Sequence, residues 1–228
     1  MNDMSRDEKH LLVATRSEHK LREIREILSD IPGLHILDLD QAGIPESAQE
    51  DALEQAETFS ENARAKATYF AERSGLVTIA DDSGLQVDAL GGRPGVRSRR
   101  FAPAPDDMDR DARDRLNLEY LLQCLDGVPE EERTARFVTE VALVEPEGSS
   151  RTFRGKVEGI IVEEPRGNGG FGYDPVFLYP PLGGTFAEIP AGEKARVGHR
   201  GIAMRRLAEF LAQGGGVGQG GPAQEEGS

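Results

Sequence analysis

Two adjacent carboxylates, Asp81 and Asp82, are followed by a hydroxyl and a glycine in Thr78-Ile-Ala-Asp-Asp-Ser-Gly-Leu85. Carboxylates at the rim of a buried segment can hold a divalent cation or activate a hydrolytic water. Leu76-Val-Thr-Ile-Ala80 before them is apolar and β-branched, and Leu85-Gln-Val-Asp-Ala-Leu90 after them alternates apolar with polar. This pattern predicts a hairpin over 76–90 that presents the aspartates at a strand end. Asp, Ser and Gly are also ordinary turn formers, so on these residues alone a plain turn is the simpler reading.

Cations stand where helices are expected to begin. In Thr15-Arg-Ser-Glu-His-Lys20, Ser17 fits an N-cap and Lys20 falls in the first turn, an end that disfavours positive charge. Free backbone N–H groups with a lysine there would cradle an anion. The competing reading is that Glu18 balances a solvated Lys20. Gly198-His-Arg-Gly201 repeats the anomaly, with His199 and Arg200 able to donate hydrogen bonds and Lys194 just upstream. A basic surface turn is the alternative.

Gly169-Gly-Phe-Gly-Tyr-Asp174 surrounds two aromatic rings and a carboxylate with glycines. Such a loop lets backbone approach a ligand and offers Phe171 or Tyr173 as a stacking face, or it is a linker with Phe171 in the core. Glu54, Glu57 and Glu61 make a second acidic group. One of them could join Asp82 around Mg²⁺, which takes oxygen ligands from separate chain segments. Arg93, Arg97, Arg99 and Arg100 are the densest basic patch. The patch could meet phosphates or cover acidic surface, and for Arg97 and Arg99 the second role is the better fit.

The elements that must position these residues are legible as periodicities. His10-Leu-Leu-Val-Ala-Thr15 reads as a buried strand, followed by a helix with Leu21, Ile24, Leu28 and Ile31 on one face and a stop at Pro32-Gly33. Leu34 to Leu39 is a second strand, and 40–53 an acidic loop. Thr58-Phe-Ser-Glu61 has capping-box spacing before a helix with Ala63, Ala67, Phe70 and Ala71 inward, ending at Gly75. A helix is expected over about 106–125 with Leu116, Tyr120 and Leu121 inward. Ala135 to Val144 and Thr152 to Val162, joined by Glu145-Pro-Glu-Gly148, read as a hairpin. Val176 to Tyr179 is a short strand, and a last helix carries Ala203, Leu207, Phe210 and Leu211 on one face. Strands and helices that do not strictly alternate predict an α/β fold with a mixed sheet.

Composition narrows the functions. A chain of 228 residues can bury a substantial core in one large domain or two packed lobes. The net charge of −14 argues against nucleic-acid binding, because a polyanion would be repelled over most of the surface. No apolar run approaches a membrane span, and the N-terminus lacks a secretory apolar stretch. The single cysteine, Cys124, excludes an intrachain disulfide, fits a reducing compartment such as the cytoplasm, and sits in an apolar run as a structural thiol. The first nine residues and the polar tail from Gln213 are expected to be disordered, leaving a domain over 10–212.

In content and order, five segments resemble the inosine triphosphate pyrophosphatase family, whose members act on ITP, dITP and XTP. They are Thr15 to Lys20; Thr58-Phe-Ser-Glu-Asn-Ala63 with Lys66; Ala80-Asp-Asp-Ser-Gly84 followed by Leu90 to Gly95; Gly169 to Pro175; and Gly198 to Gly201. The resemblance implies an elongated two-lobed α/β fold with a central mixed sheet flanked by helices, a nucleotide cleft between the lobes, and a homodimer. It implies Mg²⁺ held by Glu54 and Asp82, with Asp82 also the general base. Thr15, Arg16, Ser17, Glu18, His19 and Lys20 would hold the triphosphate and Ser83 would touch substrate. Phe171, Gly172, Tyr173, Asp174, Lys194, His199 and Arg200 would bind the base and sugar. The family usually has Asn where Ser17 stands, a departure at the phosphate-binding end. Two other readings are weighed beside this one: a Maf-like pyrophosphatase of different base specificity, and a non-catalytic nucleotide sensor. The intact Phe171 to Asp174 and His199-Arg200 segments count against the first, and retention of both Glu54 and Asp82 against the second.

Overall fold

The computed structural model describes residues 9–105 and 108–215. The apolar run near the start forms β1 (Lys9–Val13), and the amphipathic segment after it α1 (Glu18–Leu28), capped by Ser17. There follow β2 (Leu34–Leu37), α2 (Phe59–Ser74), β3 (Val77–Val87), α3 (Arg110–Cys124), β4 (Thr134–Val144) and β5 (Ser150–Ile161). The chain closes with β6 (Phe177–Tyr179), β7 (Gly184–Thr185), α4 (Ala191–Val197) and α5 (His199–Ala212). The strands make one seven-stranded sheet in the order β2-β1-β3-β4-β5-β6-β7. β1 is parallel to both its neighbours and every other pairing is antiparallel, so the sheet is mixed as expected.

Side chains alternate across this sheet and sort into separate cores. Leu11, Val13, Ile79, Val141 and Leu143 pack beneath α1 and α5, against Ile24, Leu28, Ala203, Met204 and Leu207. Leu12, Ala14, Ala80, Ala142 and Val144 face the other way, toward Ala63, Ala67, Phe70 and Ala71 of α2. Farther along the same strands a third core joins Leu85, Val87, Ala135, Phe137, Val157 and Ile161 to Leu118 and Leu121 of α3. Two lobes are thus built on the two ends of β3, β4 and β5, and Asp81, Asp82 and Ser83 occupy the stretch of β3 between them.

The hairpin expected over 76–90 does not exist. β3 runs unbroken through Asp81-Asp82-Ser83-Gly84, paired with β4 from Thr78↔Val144 to Val87↔Ala135. Gly84 is not in the left-handed region; a Cβ there would lie 2.4 Å from the Gly95 carbonyl oxygen, 2.6 Å from Ser98 Oγ and 2.8 Å from Phe59 Cε1. It serves close approach, not a turn. The rim has another origin: β1 ends at Val13 opposite Ile79, so from Asp81 to Leu85 β3 has β4 alone as a paired strand, until Gln86 bridges to Pro94. The aspartates emerge at an open edge.

Other expectations meet the structure more directly. The β4–β5 hairpin and the helix from a Thr58 cap to Gly75 are both present. α3 begins at Arg110 behind an Asp109 cap; Leu121 is fully buried, whereas Leu116 and Tyr120 are half-buried. The acidic loop contains a short 3-10 turn, Ala48–Ala52, and α4 and β7 were not foreseen. Lys9 belongs to β1 and residues 213–215 close α5, while the expected disorder over 1–8 and 216–228 lies outside the described residues.

Candidate active site

Because successive side chains on β3 point to opposite faces, the two carboxylates do not act as a pair. Asp81 lies on the α1–α5 side. Its Oδ2 meets Lys20 Nζ at 3.0 Å and Arg200 Nε at 3.3 Å, and accepts from Ser83 Oγ at 2.9 Å. Burial alone would raise this carboxyl's pKa, but Lys20, Arg200 and Lys66 outweigh it and hold Asp81 far below the ordinary carboxylate range. Asp82 lies on the α2 side, where Oδ2 accepts from Asn62 Nδ2 at 2.9 Å and Oδ1 from the Ser83 amide at 3.0 Å. Here burial prevails, with the Glu54 charge adding to it against Lys66 and Asn62, and the pKa is raised. One aspartate is a fixed anion; the other is a carboxylate disposed to take a proton.

One arm of the site is the start of α1. Ser17 caps the helix, with its oxygen accepting from the Lys20 amide, and Thr15 Oγ1 accepts from the Ser17 amide. Lys20 is a weakened base, first because it is buried and then because Arg200 and Lys66 crowd it, although Asp81 pulls the other way. From α2, Lys66 forms an ion pair with Glu54. Burial would lower the Lys66 pKa, yet Glu54, Asp81 and Asp82 together raise it. Glu54 is held low by Lys66 and Lys20 against its own burial.

Opposite this arm, small residues make room for α5. Ser83, Thr139 and Gly155 lie in register across β3, β4 and β5, and Ser83 Oγ is 2.8 Å from Thr139 Oγ1. A Cβ on Gly155 would sit 1.9 Å from the His199 carbonyl oxygen, so only glycine lets the start of α5 press onto the sheet. His199 stacks on Phe137 with centroids 4.7 Å apart, and among the described residues its buried Nδ1 has no hydrogen-bond partner. Burial, then Arg200 and Lys194, push its pKa well below the usual histidine range, so it is neutral. Arg200 binds Glu23 as well as Asp81. Phe171 gathers the groups around it: His19 stacks at 5.8 Å, Lys194 Nζ lies 5.1 Å and the Arg200 guanidinium 5.8 Å from the ring centroid. Buried Asp174 anchors that loop by accepting from the Phe171 amide and pairing with Lys194. The result is a cationic arm and an aromatic cluster beside one acidic strand edge.

Comparison with known sequences and structures finds relatives over nearly the whole chain. The profile of the Ham1 family matches residues 11–210. The chain belongs to the Ham1 family. It is 44% identical over 204 residues to a dITP/XTP pyrophosphatase of Thermus thermophilus, covering 90% of this chain and 92% of that one. A dITP/XTP pyrophosphatase of Geobacter sulfurreducens is 45% identical over 201 residues, covering 88% and 96%. Among solved structures, a HAM1 protein from Coxiella burnetii superposes with a TM-score of 0.78 at 33% identity, over 90% of this chain and 99% of that one.

Within this Ham1 chain the expected site residues are distributed unevenly. Lys20, Ser83 and Arg200 meet at Asp81 and the Glu54 charge acts on Asp82, while Lys194, Arg200 and His19 gather at the Phe171 ring and His199 is buried against Phe137. Glu18 is exposed. Arg16 turns away: its guanidinium is fixed on Glu50 at 2.9 and 3.1 Å and on the Ile44 carbonyl, so it braces the loop behind the arm. Tyr173 is buried with its hydroxyl on the Ser98 carbonyl, and the Gly172 backbone is near enough to Asp114 to favour its ionised form. Asp174 works through Lys194 and the Phe171 amide. Of the second acidic group only Glu54 reaches the site; Glu57 is exposed and Glu61 closes the cap on Thr58. Arg100 donates to the Glu54 carbonyl at 3.1 Å, and the Arg99 charge acts on both Glu54 and Asp114. Asn62 and the first turn of α3 were missed as site elements, since nothing in their spacing points to chemistry.

Among the described residues no group of three or more His, Cys, Asp or Glu is placed to hold a metal unaided. Glu54 and Asp82, near enough that the one raises the pKa of the other, offer two hard carboxylate sets. That suits Mg²⁺, which commonly takes one or two carboxylates and completes its shell with water and phosphate oxygens.

Proposed function

We propose that this chain hydrolyses non-standard purine nucleoside triphosphates, of the dITP and XTP class, to the monophosphate and pyrophosphate. The observation that carries the reading is the division of labour on β3, a fixed anion at Asp81 beside a proton-accepting carboxylate at Asp82, next to Lys20 and Lys66. Names borne by relatives above 40% identity over nearly the whole chain support the same activity.

Asp82, oriented by Asn62 and the Ser83 amide, accepts a proton from the water that attacks the α-phosphorus. Lys20, the α1 amides and Lys66 face the charge that accumulates as pyrophosphate departs. Mg²⁺, which Glu54 and Asp82 would hold, supplies further neutralisation of phosphate oxygens. Phe171 gives the base a stacking face. Neutral His199 carries one ring N–H, and the Arg200 guanidinium and the Lys194 side chain are further N–H donors; together they suit the 6-oxo acceptor of inosine and xanthine. Adenine presents an amino donor there and would leave buried donors unpaired. A homodimer and a cytoplasmic setting belong to the same proposal; no described helix is long and apolar enough to cross a membrane.

The test is pyrophosphate release from ITP, dITP, XTP, GTP and ATP with Mg²⁺ and with chelator. Turnover of the inosine and xanthine nucleotides in Mg²⁺ alone is expected. Equal turnover of ATP and ITP would sink the specificity.

A further inference from the structure

Ser17 is only 8% exposed, and its oxygen accepts twice, from the Lys20 amide at 3.4 Å and from Arg110 Nη2 at 3.2 Å. A serine hydroxyl has two lone pairs and one proton. Both lone pairs are engaged, and among the described residues nothing accepts the proton. It is a buried, oriented donor at the mouth of the anion-binding arm.

Arg110 comes from the first turn of α3, in the other lobe, 93 residues from Ser17 in sequence. One turn on, Asp114 is near enough to the backbone N–H of Gly172 in the aromatic loop, and to the Arg110 charge, for both to favour its ionised form. The start of α3 is therefore bonded to the α1 cap and lies beside the aromatic loop. Among the described residues Arg110 bonds to neither Asp82 nor Glu54; it stands at the α1 cap, a helical turn from Lys20. A guanidinium carries five N–H donors in a planar fork that suits phosphate oxygens, and Ser17 engages one of its two Nη groups.

We propose that Arg110, with the Ser17 hydroxyl, is a substrate ligand that binds the terminal phosphates, the part released as pyrophosphate. The inference rests on the pyrophosphatase reading and deepens it, by assigning the leaving group a binding residue from the second lobe.

The experiment compares wild type, Arg110→Ala and Arg110→Lys in two measurements. Calorimetric binding of inorganic pyrophosphate and tripolyphosphate requires no turnover, and steady-state kinetics on dITP gives KM, kcat and inhibition by pyrophosphate and by IMP. Loss of one charge-assisted contact predicts about tenfold weaker polyphosphate binding in Arg110→Ala, with partial recovery in Arg110→Lys. KM and the pyrophosphate inhibition constant should rise together while IMP inhibition holds. Unchanged polyphosphate binding overturns the proposal, and so does an equal loss for pyrophosphate and IMP, which would mark general loosening of the cleft. If wild type binds polyphosphate more tightly than Arg110→Ala yet releases no pyrophosphate from any nucleotide, the assigned activity fails and the phosphate ligand stands.

Discussion

At the scale of single residues, the two aspartates make opposite demands on their surroundings, and mutation separates them. Asp82 has a raised pKa, so the folded chain binds its proton more tightly than the unfolded chain does. Its ionised form is then a stability cost that is largest at neutral pH and fades as pH falls through the folded pKa. Asp82→Asn is expected to lower kcat by about 10²–10⁴-fold while Tm at pH 7 holds or rises. The wild-type kcat/KM should fall on the acid side with a midpoint above the ordinary aspartate range. Asp81 reverses the sign: its folded pKa is depressed, so its stabilisation is complete above the unfolded carboxylate pKa and disappears only in strong acid. Asp81→Asn leaves Lys20 and Arg200 buried with less counter-charge, and should cost about 3–5 kcal/mol in chemical denaturation. If Asp82→Asn kept full activity, or Asp81→Asn unfolded no more easily than wild type, this assignment would be wrong.

At the scale of elements, glycine at position 84 lets the Gly95–Arg100 turn and α2 close on β3. Gly84→Ala is expected to destabilise by about 1–3 kcal/mol, because two of the three nearest neighbours are a backbone carbonyl and an aromatic ring that yield poorly. Activity should fall with it, since Glu54 is held through its carbonyl by Arg100 of that turn. A turn-forming Gly84 would instead have tolerated or rejected alanine according to its φ alone, so urea midpoints for Gly84→Ala and Gly84→Ser test whether β3 is continuous through Gly84. Signals contained within one element were legible: the Thr58 cap, the β4–β5 hairpin, and the apolar faces of α1 and α5. The rim beside Asp81 was legible as a rim, but its cause was not, because it is set by where β1 stops, sixty-odd residues away in the chain. For the same reason Asn62, Arg110 and Asp114 were missed. Each acts on a partner brought near by sheet order, and no local period records that.

At the scale of the whole molecule, the lobes share their framework. β3, β4 and β5 are 11, 11 and 12 residues long, so each spans roughly 36–40 Å and contributes to cores at both ends. Unzipping β4 from β3 in one lobe removes the partner strand from the other, and the site residues lie midway, where neither core alone would hold them. Two lobes of this kind should not melt separately. Calorimetry on the full chain is expected to show one transition with equal calorimetric and van't Hoff enthalpies. Hydrogen exchange should be slowest along the β3–β4–β5 centre, through Val141 and Phe137 alike. Gly84→Ala should move that single transition without splitting it. Two resolved transitions, or fast exchange at the strand centres between slow ends, would mean that the cleft is a junction of independent domains. Asp82 would then depend on how they dock, and not on the one strand that runs through both.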